Sequence, residues 1–203
     1  MAFLISPISG CSPDEHPLYF FDANVWLAVL RHTGSQPVKP HEQAYIDFFE
    51  AVITLHTYPA TLKKRLKHVP KLVMTSLLLS EVINSYMRKV AFIAYQRTNP
   101  AAKEFKRDYR STADYQQQLR TITSDIQAYE AYIELFNDDF VNNDPFGLLS
   151  LLQANTADYD FNDLYYYRSL SGKSVAVVTH DGDFTFQNIP ILTANAKLLS
   201  KPR

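Results

Sequence analysis

Short continuous apolar runs recur along this chain, each followed or preceded by a segment with helical spacing, and that alternation leaves few folds open. Leu18-Tyr19-Phe20-Phe21 is the first run, and it ends at Asp22. A run with no polar alternation reads as a strand buried on both faces. Residues 71–75 (KLVMT), 174–178 (SVAVV) and 189–192 read the same way. Between them, residues 23–31, 41–57, 77 to about 94 and 164–170 carry helix-type periodicity, with Ser76 as the cap of the third. Strands alternating with helices imply an α/β sandwich around a mainly parallel sheet. In such sheets a ligand site lies beyond the carboxyl ends of the strands.

The chain has 203 residues, of which 46% are hydrophobic and 20% charged. This suits one folded domain over residues 1–203, with a helical insertion at about 95–150. Within it, residues 101 to about 137 read as two polar helices and 146–154 as a short one. Residues 1–17 hold three prolines and read as an irregular lead-in. With 5 glycines and no GxGxxG or GxxxxGK[ST], the chain lacks the phosphate loops of those nucleotide-binding enzymes. The single Cys11 cannot form an internal disulfide. No apolar run reaches the length of a membrane span, and the opening residues lack the basic start of a secretory signal. No membrane partner is expected, and the cytoplasm is the expected location.

The net charge of −1 conceals a division. Residues 61–120 hold 13 Lys/Arg against 4 Asp/Glu, while the segments on either side are acidic. Lys63, Lys64, Arg65 and Lys67 form the densest cluster, with Arg88 and Lys89 further on. One reading is a surface that meets substrate phosphates. The other is a solvated helical face.

Four acids converge on one end of the expected sheet. Asp22 follows the first strand, Glu81 lies early in the helix after the second, Asp163 opens the helix before the third, and Asp181 follows the third. Four carboxylates in one cleft repel each other, and a hard divalent cation with a preference for oxygen ligands, Mg²⁺ or Mn²⁺, offsets the repulsion. Each also has a plainer reading: a helix cap for Asp22, Asp160 or Asp163, a solvated helix residue for Glu81, and a turn former for Asp181 beside Gly182. His180 reads as a solvated turn residue. Trp26 and Tyr165-Tyr166-Tyr167 read as core.

Tyr19 through Leu27 (YFFDANVWL) resembles the opening motif of PIN domains, the fold of VapC-type toxin ribonucleases. Thr75 through Val82 (TSLLLSEV) is similar to their second motif. Asn162-Asp163-Leu164-Tyr165, then Val177-Val178-Thr179-His180-Asp181-Gly182-Asp183-Phe184, resembles their closing motif, with 18 residues from Asp163 to Asp181. The resemblance implies a PIN-like three-layer α/β sandwich and a Mg²⁺- or Mn²⁺-dependent endoribonuclease that hydrolyses RNA phosphodiesters. It makes Asp22, Glu81, Asp163 and Asp181 metal ligands or water-positioning groups, and Thr179 a hydroxyl helper. Asp160 and Asp183 become outer ligands, and Asn24 a hydrogen-bond partner of a ligating carboxylate. Were the chain the toxin of a toxin–antitoxin pair, the resemblance would imply an antitoxin that blocks the cleft, and a homodimer. Its size, through residues 95–150, departs from the small toxins. The rival readings are a PIN-like module that binds RNA or a protein without catalysis, and a phosphatase or another Mg²⁺-dependent phosphotransfer enzyme. The latter wants a second Asp where Asn24 stands.

Overall fold

The computed structural model describes residues 4–33, 38–136 and 160–201. Six strands make one sheet: β1 (Ile5–Pro7), β2 (Leu18–Phe21), β3 (Lys71–Met74), β4 (Ile133–Leu135), β5 (Val175–Val178) and β6 (Ile191–Thr193). The α-helices among the described residues are α1 (Ala23–Thr33), α2 (Gln43–Thr54), α3 (Ala60–Lys63), α4 (Ser76–Tyr86), α5 (Phe92–Thr98), α6 (Ala113–Gln127), α7 (Phe161–Leu170) and α8 (Ala196–Leu199). None of them is long and apolar enough to cross a membrane.

The strand order is β1-β6-β5-β2-β3-β4, and every pairing is parallel. From β2 the chain moves outward through β3 to β4. It then returns to β5, on the other side of β2, and moves outward to β6. Adjacent β2 and β5 therefore flank the point where the direction of winding reverses, which is where open parallel sheets form their crevice.

The uninterrupted apolar run of β2 is explained by what covers it. Successive side chains of a strand point to opposite faces. Tyr19 and Phe21 meet Phe48 of α2, with ring centroids 5.3 and 6.3 Å apart, whereas Phe20 meets Tyr166 of α7 at 4.9 Å. Helices thus cover both faces, and no residue from 19 to 21 reaches solvent. Helix α1 packs on α2, α4 and α6. The architecture is an α/β sandwich.

Two strands were not expected. β1 lies in the stretch read as an irregular lead-in. It is an edge strand of three residues, and only Ile5 is buried, too few for a pattern to show. Pro7 is tolerated at its end because an edge strand need not donate on both sides. β4 lies in the stretch read as wholly helical. It too is a three-residue edge strand, with Leu135 exposed. A third difference concerns a helix start. Strand β3 stops at Met74, and Thr75, not Ser76, is the N-cap of α4, its Oγ1 accepting from Leu78 N at 3.1 Å. The helix read at 146–154, like the last part of the 95–150 insertion, lies outside the described residues.

Helix α4 does not end at Tyr86. Residues Met87–Ala91 continue it as one wide π-helical turn, closed by Phe92 N–H on Met87 O, and α5 follows directly.

Candidate metal centre at the carboxyl end of the sheet

Asp22 is the first residue after β2. Its backbone still belongs to the centre of the sheet, with N–H donating to Val178 O at 3.0 Å, and its carbonyl already accepts from Val25 N and Trp26 N in α1. The side chain is 6% exposed. Oδ1 accepts from Ala23 N at 2.6 Å. Oδ2 accepts from Thr179 Oγ1 at 2.9 Å and from Asn24 Nδ2 at 3.3 Å.

Thr179 is the first residue after β5 and is wholly buried. Its hydroxyl donates to Asp22 and accepts from Asp181 N at 2.9 Å, so one oxygen ties the ends of β2 and β5 together. Asp181 Oδ1 then accepts from Asp183 N at 2.9 Å, which shapes the turn.

Glu81 comes from the second turn of α4. Its Oε2 accepts from Tyr166 Oη at 2.8 Å and from Asn162 Nδ2 at 3.4 Å, both on α7. Burial, then the charge of Glu81, holds the Tyr166 phenol above its ordinary range, so it stays a donor. At the start of α7, Asp160 Oδ1 accepts from Asp163 N at 3.0 Å and Asp163 Oδ2 accepts from Asp160 N at 3.3 Å. This reciprocal pair is a capping box built from two aspartates. Asp160 is therefore the cap, and Asp163 stands inward of it.

The electrostatics join these side chains. Burial, with added repulsion from Glu81 and Asp181, pushes the Asp22 carboxyl up to about 7, against the opposing pull of its hydrogen bonds. Burial, then Asp160, then Asp181 and Glu81, pushes Asp163 up to about 6. Two carboxyls on different elements thus feel the same two others. Among the described residues no Lys, Arg or His forms an ion pair with Asp22, Glu81, Asp163 or Asp181.

The donor set is all oxygen, it is short of positive charge, and one member is buried. Those are the conditions under which a hard divalent cation fits. As the side chains stand, no three acidic, histidine or cysteine groups among the described residues converge closely enough to enclose an ion. Each acid is instead turned toward its own donor: Asp22 to Thr179, Glu81 to Tyr166, Asp163 to the Asp160 amide.

The outer positions divide. Asp160 stays beside Asp163. Asp183 is paired with Lys197 at 2.9 Å, and that pairing holds its carboxyl below its usual range. The basic cluster is elsewhere. Lys71 N donates to Pro17 O, and Lys67 N donates to Asp14 Oδ2, so residues 63–71 lie at the amino ends of β2 and β3. A four-residue strand, about 13 Å, separates the two ends. Lys67 pairs with Glu15, and Lys63 Nζ donates to His56 O. Lys64 and Arg65 are exposed there. These four do not reach a phosphate held by the acids. Arg88 stacks its guanidinium over Phe105 at 4.6 Å. Of the cations expected to meet phosphates, Lys89 lines a cavity near the acids.

Sequence reasoning missed Tyr166 and Asn162 as supports of Glu81. Asn162 adjoins Asp163, which was the available signal. His180 is not a solvated turn residue: it is half-buried, with Nδ1 2.9 Å from Tyr45 Oη and its ring stacked on His41. Nothing local in the sequence announces that pairing across the fold.

No family model matches this chain, and neither a curated protein nor a solved structure matches it.

Proposed function

We propose that this protein is a Mg²⁺- or Mn²⁺-dependent endoribonuclease of the PIN-domain type. The observation that carries the reading is the set Asp22, Glu81, Asp163 and Asp181, brought from four elements to the winding reversal of a parallel sheet with no ion-pair partner among the described residues. The motifs around Asp22, Glu81 and Asp181, and the spacing from Asp163 to Asp181, add the resemblance.

In this reading the four carboxylates hold the cation, and each has a residue that orients it. Thr179 fixes Asp22 and Asp181 relative to each other. Tyr166 and Asn162 aim Glu81, and the Asp160 amide aims Asp163. A bound divalent cation supplies the positive charge these groups lack and Lewis acidity toward a phosphodiester. Burial of Asp22 keeps water from screening that charge.

The test is cleavage of a mixed single-stranded RNA pool by purified full-length protein, with Mn²⁺ and with EDTA, beside Asp22→Asn and Asp181→Asn. Metal-dependent cleavage lost in both variants, with unchanged circular dichroism, is the expected result. Full activity in both variants sinks the assignment. No cleavage by folded wild-type protein moves the reading to a binding module without catalysis.

A further inference from the structure

A cavity of ≈ 370 Å³ opens beside the acids, between α1, α2, the π-helical turn and the loop after β5. Asn24, which donates to Asp22, lines it, and so does His180, the neighbour of Asp181. Its volume lies within the range of small-ligand pockets.

Its charges are unevenly spent. Glu42, the acid in its wall, forms an ion pair with Arg31, and Lys39 approaches the same carboxylate at 3.7 Å. Burial works to raise the Glu42 carboxyl, but hydrogen bonds from Lys39 N and Arg31, with their charges, hold it below its usual range. Lys89 and His41 form no hydrogen bond or ion pair with any described residue. The wall therefore keeps free positive charge at Lys89.

The cavity also holds a prepared aromatic stack. The His41 and His180 rings lie 4.6 Å apart at 21°. Tyr45 supports His180 from behind, edge-on at 84°, with its hydroxyl on Nδ1. That hydroxyl is itself fixed, accepting from Ala194 N at 2.8 Å and meeting Thr193 Oγ1 at 3.1 Å. Among the described residues nothing engages Nε2 of His180. His41, the outer ring, is exposed.

We propose that this cavity is the subsite for one nucleotide adjoining the scissile phosphodiester of single-stranded RNA. The base stacks on His41, and the phosphate meets Lys89 and the free edge of His180. A π-face is common to every base, so the subsite takes a nucleotide without selecting its identity. The proposal rests on the nuclease reading for what lies next to the cavity, and its test separates the two.

The binding arm uses a fluorescein-labelled eight-nucleotide RNA of mixed sequence, read by anisotropy in EDTA, so that no cleavage intervenes. His41→Ala raises Kd by about five- to tenfold through lost stacking. His41→Phe, which keeps a ring, stays close to wild type. Lys89→Gln weakens binding and lowers the salt slope of log Kd by about 0.7, the loss of one single-strand phosphate contact. Both positions are exposed, and melting curves check that the variants fold. Wild-type affinity and salt slope in His41→Ala and Lys89→Gln overturn the subsite, as does absence of binding by the wild type. The cleavage arm, the same RNA with Mn²⁺, judges the nuclease separately: cleavage by wild type alongside unaffected binding in both variants removes the subsite and leaves the nuclease standing.

Discussion

The two ends of the parallel sheet handle charge in opposite ways. At the amino end, Glu15 pairs with Lys67, and Asp14 accepts from Ser12 and from Lys67 N. These groups are exposed or nearly so, and exposed pairs add little to stability. At the carboxyl end, Asp22 is buried, Asp163 is partly so, and neither has a cation beside it. Lys197 stands at this end too, but it pairs with Asp183 and leaves Asp22 and Asp163 without an ion pair among the described residues. Buried carboxyls left without an ion pair, in a fold that pairs its exposed acids at both ends, mark a candidate place for a ligand.

The most severe challenge to that contrast is Asp22→Asn. Its Mn²⁺-dependent initial rate on RNA falls at least about a hundredfold, the scale of removing a charge from an ion-holding set. A rate above a tenth of wild type would break the assignment of function to the carboxyl end. Thr179→Val comes next. It strips the donor from Asp22 Oδ2 and the acceptor from Asp181 N at a wholly buried position. Unfolding in urea should show a loss of about 1–3 kcal/mol, and cleavage should fall with it. A midpoint equal to wild type would mean the hydroxyl is not the tie between β2 and β5.

The ends also differ in their response to pH. With chelator present, the folded protein holds Asp22 and Asp163 raised to about 7 and about 6. An unfolded aspartate titrates near 3.8. The folded state therefore binds more protons between about pH 4 and 7, and stability falls as pH rises through that window. The fall is at most several kcal/mol, about 4 from Asp22 and less from the partly exposed Asp163, Asp22→Asn removes the share of Asp22, and added Mn²⁺ lessens it. Asp14 works the other way: the Ser12 and Lys67 hydrogen bonds lower its pKa, so its contribution is present above the unfolded value and lost as pH falls. Melting temperatures across pH, with and without Mn²⁺, measure both. The smallest effect belongs to the double variant Lys64→Ala, Arg65→Ala, whose cleavage rate should stay within about twofold of wild type, since both residues sit at the far end of the sheet. A larger loss would show that long substrates wrap to the amino end.

Strands β2, β3, β5 and β6 were legible in the sequence because burial on both faces leaves unbroken apolar runs. The four acids could be placed against those runs: Asp22 and Asp181 just after one, Glu81 in the helix after one, and Asp163 at the start of the helix before one. β1 and β4 were not legible, since a three-residue edge strand carries too little pattern to distinguish it from its surroundings. The basic cluster was visible but could not be located: composition reports how much charge a segment carries and not which end of a strand it precedes. The partners of the acids were hidden for a related reason. Thr179 and Asp22 are 157 residues apart, and Tyr166 reads as core until α7 is laid against α4.

The wide turn at Met87–Ala91 has a consequence for how this surface tolerates change. Five residues there fill one revolution of the rod, where an ordinary α-helix would use about four. The surplus residue is absorbed locally, so Leu78 and Val82 before it and Phe92 after it all remain buried. The rod gains a position without passing the insertion on to its core. Arg88 and Lys89 are both exposed on that turn, Arg88 over Phe105 and Lys89 in the cavity wall. The chain can vary its cationic lining at this point, by substitution or by losing a residue, and leave the packing of both flanking helices in register.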